Sequence, residues 1–505
     1  MKNKKLAVVV VAINVLFFAA LVAVYAAGFS KSDVVGVAQV PAAIAQNPQA
    51  VHKIFLPAVG IKPNNVYGIE MTSMSGGGGL DIIAEAGTHW ARRPAIWWPD
   101  VESTEGVRNW NVASIQMFEA EFKLAAAKGL QVILVVRGTP TWAQKIAGYG
   151  CGPIKDTKLS RFADFMYDLV KRYSVAPYNV MYYQLTNEPD ITPGDVYEDK
   201  NSLRGCWGDQ NQVNFGGEYY ANMLKVTYPR IKQANPEAQV ILGGLLLPCD
   251  PRILPVGTGI GCNFNAQLRH ANFLNGILVN GGKNYFDGVA IHAYDWYTLG
   301  SPYNEYSYAA WGSTSQTNGP SFIKKLDYVN SVLAAHSVTG KYVMATEVGL
   351  LCNCGTEDRH QRAAAVYAAQ LYPSAIISGL KNMTWFRSLD GGAFNVGMLN
   401  NDLTPRYAYH AFKASRNLLG DASYLHPLTT SDFGNVSGVK GNAFSARGRT
   451  VWTIYSTAST SRLITLSKMP TAVYDLYGNP ITVSSSRQVN LTSPDRLFIY
   501  VEYAP

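Results

Sequence analysis

The stretch Val180-Met-Tyr-Tyr-Gln-Leu-Thr-Asn-Glu-Pro189 sets an apolar, β-prone run against a polar, turn-forming end. Residues Val180–Leu185 read as a strand with too little polar surface to turn either face to water. Thr186-Asn187-Glu188-Pro189 then stops it, because Asn and Pro favour turns. The same grammar recurs along the chain. Strand-like runs occur at Val66–Ile69, His89–Arg92, Val132–Val136, Val240–Gly243, Gly288–Ile291, Tyr342–Thr346 and Met383–Phe386. Helical patterns lie between them, at Ile115–Lys128, Phe162–Tyr173, Tyr219–Gln233, Phe322–Ala335 and His360–Leu371. Apolar strands alternating with amphipathic helices predict an α/β fold, and eight such units over residues 61–419 predict a (β/α)8 TIM barrel. A doubly wound open sheet is the alternative. Its nucleotide-binding form is disfavoured, since no GxGxxG follows an early strand.

On either side of this region the pattern changes. After Gly420 the runs Val451–Tyr455, Arg462–Leu466, Ala472–Leu476, Ile481–Val483 and Leu497–Val501 are short and separated by Ser, Thr, Asn and Pro, without helix. Residues 420–505 therefore read as a C-terminal all-β sandwich module. At the other end, Lys2, Lys4 and Lys5 precede the uncharged stretch Leu6–Phe29. Residues 1–29 read as a signal peptide or membrane anchor, and 30–60 as a linker. Lysines on the inner side predict an exported chain, secreted or anchored to the outer face of the cytoplasmic membrane.

Composition narrows the possible activities. Only 15% of the 505 residues are charged, which excludes a mainly disordered chain. Of the formal net charge of +8, the first fifty residues supply +3, and no basic run follows, so nucleic acid is excluded as a partner. Six cysteines suit an oxidising compartment, and proximity pairs Cys151 with Cys206, Cys249 with Cys262 and Cys352 with Cys354. Without a CxxC or a second close ligand pair, the spacing does not favour zinc.

The chemistry-bearing residues collect at strand ends, where α/β barrels place their functional groups. Strand two ends in Arg92-Arg93, strand three in Arg137-Gly-Thr-Pro-Thr-Trp142, and strand four in Asn187-Glu188-Pro189. Strand six ends in His292-Ala-Tyr294, strand seven in Thr346-Glu347-Val-Gly349, and strand eight in Trp385. Glu188 and Glu347 thus face one bowl, and a pair of carboxyl groups is the machinery of glycoside hydrolysis. Taken singly these motifs mean little. Asn-Glu-Pro is a common turn, a core histidine is the lesser alternative for His292, and Trp97, Trp98, Trp207, Trp296 and Trp311 read as readily as core packing as sugar-stacking residues. Arg137 reads either as a substrate ligand or as a salt-bridged rim residue.

In combination, Asn187-Glu188-Pro189, His292-x-Tyr294, Thr346-Glu347-x-Gly349 and Trp385 resemble the clan A glycoside hydrolases. Trp98-Pro-Asp-Val-Glu102, Gly138-Thr-Pro-Thr-Trp142 and the trailing β module resemble family 39 and its family 5-like relatives. The resemblance implies a retaining glycosidase acting on an oligo- or polysaccharide, without metal or cofactor. Glu188 would be the acid/base and Glu347 the nucleophile. It implies substrate contacts by Trp142, Asn187, His292, Tyr294 and Trp385, the last as a stacking floor. It also implies an arginine at the end of strand two. Counting back from Trp98 favours Arg93, and counting forward from Trp90 favours Arg92; Arg93 is placed first. The acid role predicts a Glu188 pKa raised by burial and by Glu347. Insertions at Asp190–Gln212 and Asp295–Asn318 would build the aglycone side. A non-catalytic carbohydrate-binding barrel is the competing reading, although both glutamates are present. A metal-dependent hydrolase would need more than His292 well placed among the 8 histidines.

Overall fold

Each of the eight apolar runs becomes a stave of one barrel in the computed structural model. It describes residues 65–504 except 197–198, 254–269, 299–302, 304, 316–318, 353, 355–357, 391–394, 458–459 and 493. The signal or anchor and the linker expected before residue 61 lie outside the described residues. No described helix is long and apolar enough to cross a membrane.

The staves are β1 (Tyr67–Glu70), β2 (Trp90–Trp97), β3 (Gln131–Arg137), β4 (Tyr182–Asn187), β5 (Gln239–Leu245), β6 (Gly288–Tyr297), β7 (Tyr342–Leu351) and β8 (Asn382–Trp385). Each pairs in parallel with the next, and β8 pairs back to β1, so the sheet is closed and the open-sheet alternative falls. A helix follows every stave: α1 (Leu80–Glu85), α2 (Ala113–Ala127), α3 (Leu159–Tyr173), α4 (Gly217–Ala234), α5 (Phe273–Val279), α6 (Phe322–Ala335), α7 (Asp358–Ile377) and α8 (Tyr407–Leu419). The staves are apolar on both faces because both are covered. Trp90, Ile133, Ile241, Ala290 and Met344 fill the barrel interior, and a larger cluster lies between staves and helices.

Two bulges decide which side chains reach the bowl above that interior layer. In β2, Pro94 and Ile96 face the consecutive residues Val135 and Val136 of β3, so one extra residue interrupts the alternation. In β7, the step from Ala345 to Val348 faces only Met383 to Trp385 of β8, and Ile291-His292 of β6 faces Ala345 and Glu347. The extra residue turns Glu347, rather than Thr346, towards the bowl; re-aiming a side chain is what bulges do.

The C-terminal module is antiparallel throughout. Its strands are β9 (Ser423–Pro427), β10 (Val439–Ala446), β11 (Arg449–Ser456), β12 (Arg462–Thr465), β13 (Ala472–Asp475), β14 (Gln488–Leu491) and β15 (Phe498–Tyr503). A five-stranded sheet, β9-β10-β11-β15-β13, is joined by the pair β12-β14 around a core including Trp452, Ile464, Leu491 and Val501. Ile481–Val483 forms no strand; the strand comes later, at β14. Phe444, Val451, Phe498 and Tyr500 share the helix-layer cluster of the barrel, and Arg362 of α7 pairs with Asp495 at 3.5 Å. Cys151 is bonded to Cys206, tying the loop after β3 to the loop after β4, and Cys352 is bonded to Cys354 at the end of β7. Cys262, the expected partner of Cys249, lies outside the described residues.

Candidate active site

At the floor of the bowl lies Arg92, with no exposed surface. Alternation from the inward Trp90 carries it inside, whereas Arg93 points outward to Glu121 of α2 at 2.7 Å. The count that placed Arg93 first ran backward through the β2 bulge and so lost one step. Arg92 donates to three strand ends. Its Nη1 serves both Glu70 of β1 and Glu347 Oε1, the latter at 2.6 Å, and its Nη2 reaches Asn187 Oδ1 at 2.6 Å. Nε reaches Gln184 Oε1 at 3.3 Å.

The two glutamates read from the sequence meet over this arginine. His292 Nδ1 lies 2.9 Å from Glu188 Oε1 and 3.4 Å from Glu347 Oε2. One oxygen of each carboxylate and one ring nitrogen all fall within 4.8 Å of one another. The Tyr294 hydroxyl donates to Glu347 Oε2. Burial, then the charges of Glu347 and Glu188, push that phenol well above its ordinary range, so it remains a donor. Thr186 and Glu188 adopt φ of 65° and 45°, a left-handed backbone rarely tolerated by such residues. Glycine is required at 244 in β5, because a Cβ there would fall 2.0 Å from His292 Nε2.

The electrostatics depart from expectation at Glu188. Burial raises its pKa, but the hydrogen bond and charge of His292, with Arg204 and Arg92, outweigh that and hold the carboxyl below its ordinary value. The carboxyl raised at the floor of the bowl is Glu70, which the sequence reading missed because it ended strand one at Ile69. Extending the strand-end rule by one residue would have found it. Burial pushes Glu70 up to about 7, Arg92 opposes the shift, and Glu347 adds to it.

Two expected sugar contacts lie elsewhere. Trp385 is only 1% exposed, packs on Tyr367 of α7 and donates its indole N–H to Val396 O. It faces the helix layer, and the next residue, Phe386, meets Tyr294 with ring centres 5.7 Å apart. Trp142 packs edge-on against Trp98 and donates to Glu102 O. Glu102 is itself buried against Trp98, Gly106 and Arg108, a structural role for that motif. A hollow of about 450 Å³ between Lys145, Trp207 and Tyr219 lies beside the bowl and contains none of its carboxylates.

Glu188, His292 and Glu347 are spaced to chelate a cation, but Arg92 and Tyr294 already occupy both oxygens of Glu347, an arrangement suited to proton chemistry. Cys352, Cys354 and His360 form a second such group, with the two sulfurs consumed by their mutual bond.

No protein-family model and no curated protein matches the chain. Solved structures do. A family 39 glycoside hydrolase from Bacteroides cellulosilyticus WH2 superposes with a TM-score of 0.62 at 19% identity, covering 87% of this chain and 81% of that one. A monomeric β-xylosidase from Caulobacter crescentus CB15 gives 0.55 at 14% identity over 88% and 97%. A GH30 endoxylanase from Clostridium papyrosolvens C71 gives 0.55 at 12% identity over 88% and 97%. At such identities the likeness establishes the barrel with its β-sandwich module.

The raised Glu70 carries a prediction for stability. A carboxyl whose pKa rises on folding keeps its proton longer in the folded state. Its contribution is full below the ordinary value of 4.5 and is lost as pH climbs through about 7. Scanning calorimetry between pH 5 and 8 should show the melting temperature of the unsubstituted protein falling more steeply than that of Glu70→Gln. Equal slopes would contradict the assignment.

Proposed function

We propose that the chain is a retaining glycoside hydrolase that works outside the cytoplasm and cleaves O-glycosidic bonds, β-linked by the resemblance, through a glycosyl-enzyme. The observation that carries this reading is the approach of the two glutamates over one bowl, with one oxygen of each carboxylate no more than 4.8 Å from the other. Retaining enzymes hold their carboxyl groups about 5–5.5 Å apart, whereas inverting ones leave about 6.5–9.5 Å for a water. The fold neighbours named as glycoside hydrolases support the same class. The disulfides and the apolar N-terminal stretch support export.

In this mechanism Glu347, oriented by Arg92 and Tyr294, attacks the anomeric carbon. The bond to the leaving oxygen breaks as Glu188 gives that oxygen a proton. In the second step Glu188 takes a proton from water, water attacks the anomeric carbon, and Glu347 departs. Burial raises Glu188 and the hydrogen-bonded His292 lowers it, so that contact sets the pH range over which Glu188 can supply the acidic proton. Asn187, fixed by Arg92, is placed to meet a sugar hydroxyl.

Three outcomes are expected from a panel of activated aryl β-glycosides. Glu347→Ala should lose about 10³-fold or more of the activity, and azide should restore turnover with an inverted glycosyl azide as product. Turnover surviving the loss of Glu347 would sink the mechanism, and absence of turnover by the unaltered chain on all glycosides would favour the carbohydrate-binding barrel. Gly244→Ala should leave the barrel folded by circular dichroism yet cut kcat/KM about 100-fold by displacing His292. With His292→Leu, burial remains the largest influence on Glu188, so its pKa should rise and the alkaline limb of the kcat/KM profile should move to higher pH. A limb that stays in place would remove the role given to His292 in setting Glu188.

A further inference from the structure

Arg137 sits at the end of β3 in register with Trp97 of β2. Ile133 belongs to the interior layer, so alternation places Val135 and then Arg137 on the inner side, at the mouth of the bowl. Its guanidinium carbon lies 4.9 Å from the centre of a Trp97 ring. Trp97 is itself pinned, since a Cβ at Gly138 would fall 2.6 Å, and one at Gly150 3.2 Å, from the indole.

Arg137 lacks an acceptor, as do Arg387 and Arg462, but it alone of the three ends a stave with its guanidinium laid on Trp97. Arg92, Arg93, Arg108 and Arg406 each hold a carboxylate. Among the described residues no ion pair or hydrogen bond reaches the Arg137 guanidinium, and its Nε is buried without a partner. The salt-bridged rim role left open by the sequence is therefore not the one it plays. A guanidinium partly withdrawn from water and unpaired is costly. Burial, the largest influence, pushes it down to about 10, Arg92 and Arg93 push the same way, and Asp100 and Asp199 oppose. It remains a cation at neutral pH. Guanidinium is the side chain best shaped for planar, two-point capture of an oxoanion, and an oxoanion arriving there would relieve an existing electrostatic cost.

We infer that Arg137, backed by Trp97, is a subsite for an oxoanion carried by the substrate. The saccharide processed in this bowl is then an acidic one, bearing a uronate carboxylate or a sulfate ester. The inference rests on the glycosidase reading for what happens between Glu188 and Glu347, but not for binding at Arg137.

The test is an array of neutral, uronate-bearing and sulfated oligosaccharides probed with the full chain carrying Glu188→Gln, so that binding is read without turnover. The strongest binders should be acidic, and adding Arg137→Met should weaken them about tenfold or more while leaving neutral glycans unchanged. Arg137→Lys should keep part of the preference, which also serves if the methionine variant fails to fold. Signal on the uronate arm or on the sulfate arm identifies the source of the oxoanion. Binding confined to neutral glycans, no binding to any acidic one, or acidic binding that survives the loss of Arg137 overturns the inference. Azide rescue of Glu347→Ala is read separately, so either proposal can fail while the other stands.

Discussion

The bowl is organised around one buried cation. Arg92 has no exposed surface, and a guanidinium so placed is tolerable only with its donors filled by acceptors of opposite charge or strong dipole. Glu70, Asn187, Gln184 and Glu347 supply them from β1, β4 and β7. The arginine therefore fixes the distance between opposed staves and the orientation of Glu347. It also makes a bowl holding three carboxyl groups electrostatically stable. One of its nitrogens serves both Glu70 and Glu347.

Local backbone departures turn a regular barrel into this site. The β7 bulge aims Glu347 inward, and left-handed backbone at Thr186 and Glu188 ends β4 with the Glu188 carboxyl facing His292. Buried supports hold those departures in place. Asp190 accepts from the N–H groups of Leu246 and Leu247 after β5, and Lys325 of α6 donates to His292 O at 2.8 Å and Leu246 O at 2.6 Å. Elements distant in sequence thus converge on the Glu188–His292 pair, while the disulfide Cys151–Cys206 ties the loops above it.

The barrel was legible because doubly buried staves announce themselves as apolar runs, and the strand-end rule then led to Glu188, Asn187, His292, Tyr294 and Glu347. Legibility failed at particular positions. The β2 bulge misled the count between Arg92 and Arg93, and the inward position falls to Phe386, just past β8, rather than to Trp385. Glu70 was lost to a strand end drawn one residue early. In the β module, β9 and β10 went unread because polar and apolar residues alternate weakly there, as in Val439-Lys-Gly-Asn-Ala-Phe-Ser-Ala446. The pKa of Glu188 was beyond reach for another reason. Its sign depends on how closely His292 approaches, and the bulge and Gly244 set that distance.

The central claim is double displacement across the short gap between Glu188 and Glu347. It is tested most directly by following hydrolysis of a turned-over glycoside with proton NMR and reading the first hemiacetal formed. The account predicts that this sugar appears with the configuration of the bond that was broken, before mutarotation. First appearance of the opposite anomer would contradict it, because one inversion would then have sufficed.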